Sequence, residues 1–331
     1  MYVYTIAGSA RLVKGAGGKS FGALTTIMKE PMVMRTLVEM EMQDGWYVLD
    51  PPDRKTGVMT LSSRSLGHAG RSGAPGRRAR TSLIGDDALI CLSVRQVHSM
   101  NIIKISVRED GGHEISELSA HWEGQEYRAG GERRLFSWEP GEFVRRWPEI
   151  LEIEADGLLT NDSRFDLAVT VADCMPIFVS HGPWRALLHS GWAGTGILRT
   201  LFGPGGLDIQ VSATVSPAGS PGMQQSDGSE GQPEEQQFAV FGPCISVANY
   251  QVDPERADLY RARFGPAAAR GRYLDLRAAN QVIAGELGLV ELYSWDRCTV
   301  SHSGLFSYRQ DGPRDYSLML ARYAGEAKPV T

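Results

Sequence analysis

The sequence predicts a protein of the α/β class, and three observations carry that expectation. The chain has 331 residues and 42% hydrophobic content, enough for one large α/β domain or two modest ones. Short apolar bursts bounded by Gly, Pro and Asp recur along it, the pattern of strands joined by turns. Two stretches, 254–264 and 275–287, read instead as helices.

Taken in order, Val3-Tyr4-Thr5-Ile6-Ala7 and Trp46-Tyr47-Val48-Leu49 are early strand candidates. Residues 66–80 are rich in Gly, Arg and Ser and read as a loop whose arginines are either solvated or reach an anionic ligand. Residues 89–94 form an apolar strand running on toward His98, and 102–107 the next strand. The polar, Gly-rich stretch beginning at 109 looks like an inserted excursion, and 142–153 mixes helical spacing with an interrupting proline. Strands follow at 167–171, 177–180 and 184–188, then a short helix within 194–202. Residues 212–237 hold almost no large apolar side chains, so they cannot bury enough surface to offset ordering entropy and read as a disordered insertion. Strands at 238–241 and 298–300 complete the pattern.

Composition excludes several classes of function. A formal net charge of -5 lacks the basic excess of a nucleic-acid or anionic-membrane binder. No apolar run approaches the ~18 to 20 residues of a membrane span. The first residues lack the basic-then-apolar layout of a secretory signal, so a cytoplasmic protein with small-molecule or protein partners is expected. The four cysteines, Cys91, Cys174, Cys244 and Cys298, lie far apart and form no CxxC pair, against a zinc ribbon or a disulfide framework.

The chemistry concentrates in two short segments. An apolar strand ends in Ala172-Asp173-Cys174, and a second ends, fifteen residues after that cysteine, in His189-Ser190-Gly191-Trp192. His98, in Arg95-Gln96-Val97-His98, ends another apolar run. One thiolate and two imidazoles leave a place open on a tetrahedral zinc, and an open place allows a metal to activate water. The alternative for Cys174 is a buried structural thiol, the default on an apolar strand. Its neighbour Asp173 argues against that default, because a carboxylate beside a buried thiol needs a partner. The other histidines, His68, His113, His121, His181 and His302, sit in polar or Gly-containing contexts and read as ordinary residues.

Six motifs in order resemble the YfiH family, also called the multicopper polyphenol oxidase or laccase-like domain, whose members are described as purine nucleoside phosphorylases. They are Arg95-Gln96-Val97-His98, Asp156-Gly157-Leu158-Leu159-Thr160, Val169 through Pro176, His189 through Gly194, Gly242-Pro243-Cys244-Ile245-Ser246 with Tyr250-Gln251-Val252, and Cys298-Thr299 with Phe306 through Gly312. The resemblance implies a single layered α/β (α+β) domain with mixed β-sheets. It covers about 85–320 and assigns residues 81–331 to the metal-site domain, with insertions at 109–145 and 212–237. Residues 1–80 match poorly and are expected to be a strand-rich part of the same domain. The resemblance also implies a zinc held by His98, Cys174 and His189. The implied activities are phosphorolysis of adenosine, inosine, guanosine and methylthioadenosine, and deamination of adenosine. A purine nucleoside and phosphate are the implied partners.

In that reading Asp173 is the first candidate for the proton shuttle and Asp156 the second, although Asp156 reads equally as a turn residue capping the Gly157 bend. Arg309 and Arg314 are the candidate phosphate ligands. The chain departs from the family where Ala193, Gln310 and Pro313 replace residues that are usually Arg, Arg and Gly. Fewer guanidinium groups weaken phosphorolysis more than metal-water chemistry, since arginine binds phosphate in a bidentate fork. The alternatives are a peptidoglycan-editing amidase using the same metal site, and a degenerate, non-enzymatic metal-binding relative. A copper laccase would need several copper sites, and the chain has no His-X-His pair.

Overall fold

In a computed structural model, the described residues are 33–36, 42–49, 58–69, 90–207, 237–289, 291–313 and 315–322. The strand expected at Val3-Tyr4-Thr5-Ile6-Ala7, most of the 66–80 loop, Arg314 and all but the last residue of 212–237 lie outside them.

The first strands are β1 Val33–Thr36, β2 Met42–Gln43, β3 Trp46–Leu49, β4 Val58–Ser62, β5 Ile90–Leu92 and β6 Ile102–Val107. A long hairpin, β7 His113–Glu123 and β8 Glu126–Trp138, leads into the short helix α1, Phe143–Arg146, and a 3-10 segment, Trp147–Glu152. Four strands follow: β9 Gly157–Thr160, β10 Phe165–Val171, β11 Met175–His181 and β12 Trp184–Ser190. Then come α2 Ile197–Leu201, β13 Phe238–Phe241, α3 Pro254–Phe264, β14 Ala269–Arg270 and β15 Tyr273–Leu274. The chain ends its described course with α4 Leu276–Leu287, β16 Glu291–Ser294, α5 Tyr308–Asp311 and β17 Ser317–Arg322.

These strands make a nine-stranded mixed sheet, β1-β16-β13-β11-β12-β9-β6-β7-β8, and a six-stranded sheet, β2-β3-β4-β17-β10-β5. The large sheet is the middle layer, and side-chain alternation shows why. In β13, Phe238 and Val240 join the core shared with Met59, Leu61, Val169 and Met319 of the small sheet, while Ala239 and Phe241 join the core under the helices. Ala257, Tyr260 and Phe264 of α3 and Ala279, Ile283 and Ala284 of α4 cover that second face. A sheet buried on both faces reads as continuous apolar runs, which is why β11 to β13 were legible as strands. Both covering helices are capped by aspartates: Asp253 accepts from the Arg256 amide at 2.8 Å and Asp275 from the Ala278 amide at 2.9 Å. No helix among the described residues is long and apolar enough to cross a membrane.

Two expectations need correction. The stretch read as a polar excursion within 109–145 is the β7–β8 hairpin, which widens the large sheet. Its register shifts at Ile115/Ser116 and Ser119/Ala120 break the period-2 pattern, and its polar face is charged, with Glu117 paired to Arg133. The strand expected at 298–300 is a turn; Cys298 makes only an isolated bridge to Cys244, and the true strand is β16 just before it.

Gly157 lies between two strands that leave it no room for a side chain. It pairs with Leu188 on one side and Ile102 on the other, and a Cβ there would stand 2.8 Å from the side chains of both. Gly157→Ala is therefore expected to lower the unfolding free energy by about 1–3 kcal/mol, read as a reduced urea midpoint at unchanged m-value. An unshifted midpoint would mean that Ile102 and Leu188 yield freely.

Candidate metal centre

The site lies where the chain passes from one sheet to the other. β10 belongs to the small sheet and β11 to the large one, and Ala172-Asp173-Cys174 is the corner between them. β5 and β6 are related in the same way, and His98 lies on their connection. His189 is the next-to-last residue of β12, in the large sheet beside β11. His98 thus stands six residues beyond its strand rather than at its end.

Both corners are bent into a conformation that ordinary residues seldom adopt. His98 has φ 62° and Asp173 has φ 86°, in the left-handed region. Each is held there by hydrogen bonds. Asp156, fully buried, accepts through Oδ2 from the Val97 amide at 3.1 Å, the Ser99 amide at 2.6 Å and the Ser99 hydroxyl at 2.9 Å. Gln96 clamps the same loop to β10: its Nε2 donates to the Thr170 carbonyl at 2.9 Å and its Oε1 accepts from the Thr170 amide at 2.8 Å. At the other corner, Asp173 accepts from the Thr299 hydroxyl at 2.5 Å and the Arg309 amide at 2.9 Å, while its carbonyl accepts from the Ile245 amide.

The result brings His98, Cys174 and His189 together, with one ligand atom from each within 4.8 Å of the others. The two imidazoles meet at 5.1 Å between ring centres and 67° between planes. Asp156 Oδ1 bonds His189 Nδ1 at 2.8 Å, so the other ring nitrogen is the one left for a metal. A Cβ at Gly191 would stand 2.7 Å from Cys174 Sγ and 3.2 Å from the His98 ring, so glycine is required for the group to close. One thiolate and two imidazoles suit zinc or copper. Among the described residues this is the only group of three or more such ligands, where a multicopper oxidase needs several.

Charge at the site is organised around this group. Burial works to raise the Cys174 thiol, yet the His189 charge and hydrogen bonds from His189 and His98 outweigh it and lower the thiol to about 6. Burial opposes charge on His189 as well, and the Cys174 thiolate and the Asp156 carboxylate reverse that, raising it to about 10. Asp156 itself, though buried, is held below the usual carboxylate range by His189 and Ser99.

Of the other predicted site residues, Asp156 stands behind His189 and Asp173 turns its carboxylate toward Thr299 and Arg309. The Arg309 guanidinium donates to the Gln251 carbonyl at 2.8 Å and lies over the Tyr250 ring. Ala193 borders an open cleft of 610 Å³ that also has His98, Trp122, Trp192 and Arg263 on its walls. Sequence reading missed Gln96 and Thr299 as fixing residues, and it left Tyr250 and Trp192 inside motifs without a role. Their position directly beside the corner motifs was the available signal.

The chain is similar to known proteins. A profile of the family described as multi-copper polyphenol oxidoreductase laccase matches residues 76–202 and 211–320. A relative named purine nucleoside phosphorylase YlmD, from Bacillus subtilis, is 32% identical over 169 residues, 47% of this chain and 54% of that protein. A Mycobacterium bovis protein of the same descriptive name is 31% identical over 48% of this chain and 58% of its own length. The match therefore spans little more than half the length of these curated relatives. The crystal structures of YlmD from Geobacillus stearothermophilus and of YfiH from Bacillus licheniformis share the fold. YlmD has a TM-score of 0.54 at 20% identity, covering 87% of this chain and 99% of that one. YfiH has a TM-score of 0.54 at 18% identity, covering 85% and 97%.

A raised His189 pKa beside a lowered Cys174 thiol would set the pH dependence of metal binding. Below about 10 the imidazole carries a proton that a metal must displace, while above about 6 the thiol has already lost its own. Zinc binding near neutrality should release about one proton, and affinity should rise about tenfold per pH unit. Calorimetry in buffers of different ionisation enthalpy measures this; pH-independent affinity would contradict it. Asp156→Asn should weaken zinc affinity about 10–100-fold, because His189 loses its orienting carboxylate; chelator competition reads the change.

Proposed function

The chain belongs to the multi-copper polyphenol oxidoreductase laccase family, and on that footing we propose that it is a zinc-dependent purine nucleoside enzyme. The observation that carries this reading is the His98–Cys174–His189 group with Asp156 behind it, in a chain whose relatives bear the name purine nucleoside phosphorylase. The proposed reactions are phosphorolysis of adenosine, inosine, guanosine or methylthioadenosine, and deamination of adenosine.

His98, Cys174 and His189 would hold the zinc, and such an ion supplies Lewis acidity and lowers the pKa of bound water toward ~7. The rest of the chemistry falls to the protein. Asp156 fixes the ring orientation of His189 and stabilises positive charge on it. Asp173 has both carboxylate oxygens engaged, so in this reading it sets the Cys174 corner and the Arg309 backbone rather than shuttling a proton. Arg309 supplies a guanidinium beside that corner for the phosphate. In phosphorolysis a phosphate oxygen bonds to C1′ while the C1′–N bond breaks, its electron pair leaving with the purine, which takes up a proton. In deamination water replaces the amino group at C6 and ammonia leaves.

The deciding experiment supplies adenosine to zinc-replete protein with and without phosphate. Free adenine with ribose 1-phosphate is expected when phosphate is present, and ammonia with inosine when it is absent. Cys174→Ala should lose both products and lower bound zinc about tenfold or more. Absence of every product from the zinc-replete wild type would sink the reading, and equal zinc in the variant would sink the ligand assignment.

A further inference from the structure

We infer that Arg256 and Tyr250 join Arg309 in a seat for inorganic phosphate beside Cys174, formed by two arginine–aromatic stacks. The inference rests on the proposed nucleoside chemistry for its purpose but not for its geometry. The first stack reaches the site through Gly191, which lies against Cys174 and His98; the next residue, Trp192, carries the Arg256 guanidinium at 4.2 Å from its ring centre. The second reaches it through Asp173, which holds the Arg309 amide; the Arg309 guanidinium lies 5.3 Å from the centre of the Tyr250 ring. The two stacks converge on Tyr250, whose hydroxyl lies in the field of Cys174, Arg309 and Arg256 together.

Neither guanidinium is consumed by the protein. Arg309 gives one nitrogen to the Gln251 carbonyl and has no carboxylate partner among the described residues. Arg256 meets Asp253 only at 3.5 Å, and that half-exposed carboxylate is already engaged as the cap of α3. The Tyr250 hydroxyl, half-buried, has no hydrogen-bond partner among the described residues. Burial, then the nearby Cys174 charge, raises its pKa against the pull of Arg309 and Arg256, so it remains a donor. Stacking holds a guanidinium plane in place while leaving its N–H edge free, the arrangement that binds phosphate in a bidentate fork. Two such edges and a phenol donor match a tetrahedral dianion, whose oxygens are all acceptors.

The test is calorimetric titration of the zinc-replete full chain with inorganic phosphate and no nucleoside. Wild type should bind, Arg256→Ala should bind about tenfold more weakly, and Tyr250→Phe should lose several-fold. Arg261→Ala is the control, since it removes the same charge from the same helix, where Arg261 is paired with Asp258; its phosphate affinity should match wild type. Arg256→Ala binding as tightly as wild type, equal weakening by Arg261→Ala, or no binding by wild type would each overturn the seat. Phosphate binding lost in Arg256→Ala while no nucleoside is turned over would uphold the seat and defeat the proposed function instead.

Discussion

The arrangement depends first on one buried carboxylate. Asp156 has no contact with water, yet it is satisfied from every side: His189 on one oxygen, the Val97 and Ser99 amides and the Ser99 hydroxyl on the other. A buried charge is costly unless it is paired and hydrogen-bonded, and this one is both. Its backbone is engaged as well, donating to the Asn101 carbonyl and accepting from the His189 amide at 2.7 Å. One residue thereby fixes the loop that carries His98 and the ring of His189. Two of the three metal-ligand candidates take their position from it.

The layered fold explains why such a residue is needed. A ligand within a strand, like His189, is placed by the sheet. His98 and Cys174 lie instead on crossings between two sheets, where no ladder of backbone bonds sets their position. Both crossings therefore use left-handed backbone, and each is tied by a carboxylate, Asp156 for one and Asp173 for the other. The two are also tied together, because Gln96 of the first crossing bonds Thr170 on the strand that leads into the second. Strain at the corners is offset by this shared network, and it places the reactive groups at the seam between layers.

That logic also marks what the sequence could reveal. The helix Pro254–Phe264 and the strand Phe238–Phe241 were legible to the residue, because propensity and burial point the same way. The His98, Cys174 and His189 group was legible as residue types at the ends of apolar runs. The β7–β8 hairpin was not, since its bulges shift the pattern and its charged face imitates a loop. Nor was the use of the two aspartates. Sequence places Asp173 beside Cys174 and suggests acid-base work, while only the fold shows both its oxygens spent on Thr299 and Arg309. Tyr250 and Arg256 belong to the same class, for the nearness of Tyr250 to Cys174 and the stacking of Arg256 on Trp192 arise through tertiary packing across many intervening residues.

Charge at the seam would separate the two proposed reactions. A divalent ion on one thiolate and two neutral imidazoles retains a single positive charge, and the Asp156 carboxylate directly behind His189 cancels it. Such a centre would polarise water or a neutral purine without holding an excess of positive charge to attract an anion. Adenosine is neutral, so its proposed deamination would need a proton-transfer partner but no anion site. Phosphate is different, because in the proposed phosphorolysis it would have to be drawn in against the nearby Asp173 and held while its oxygen approaches C1′. The cations for that lie outside the metal group, on the Tyr250 and Trp192 rings, where stacking keeps them in place without neutralising them. The proposed phosphate chemistry would therefore depend on arginines that the proposed water chemistry does not use, with anion recognition left to the rim of the metal-ligand group.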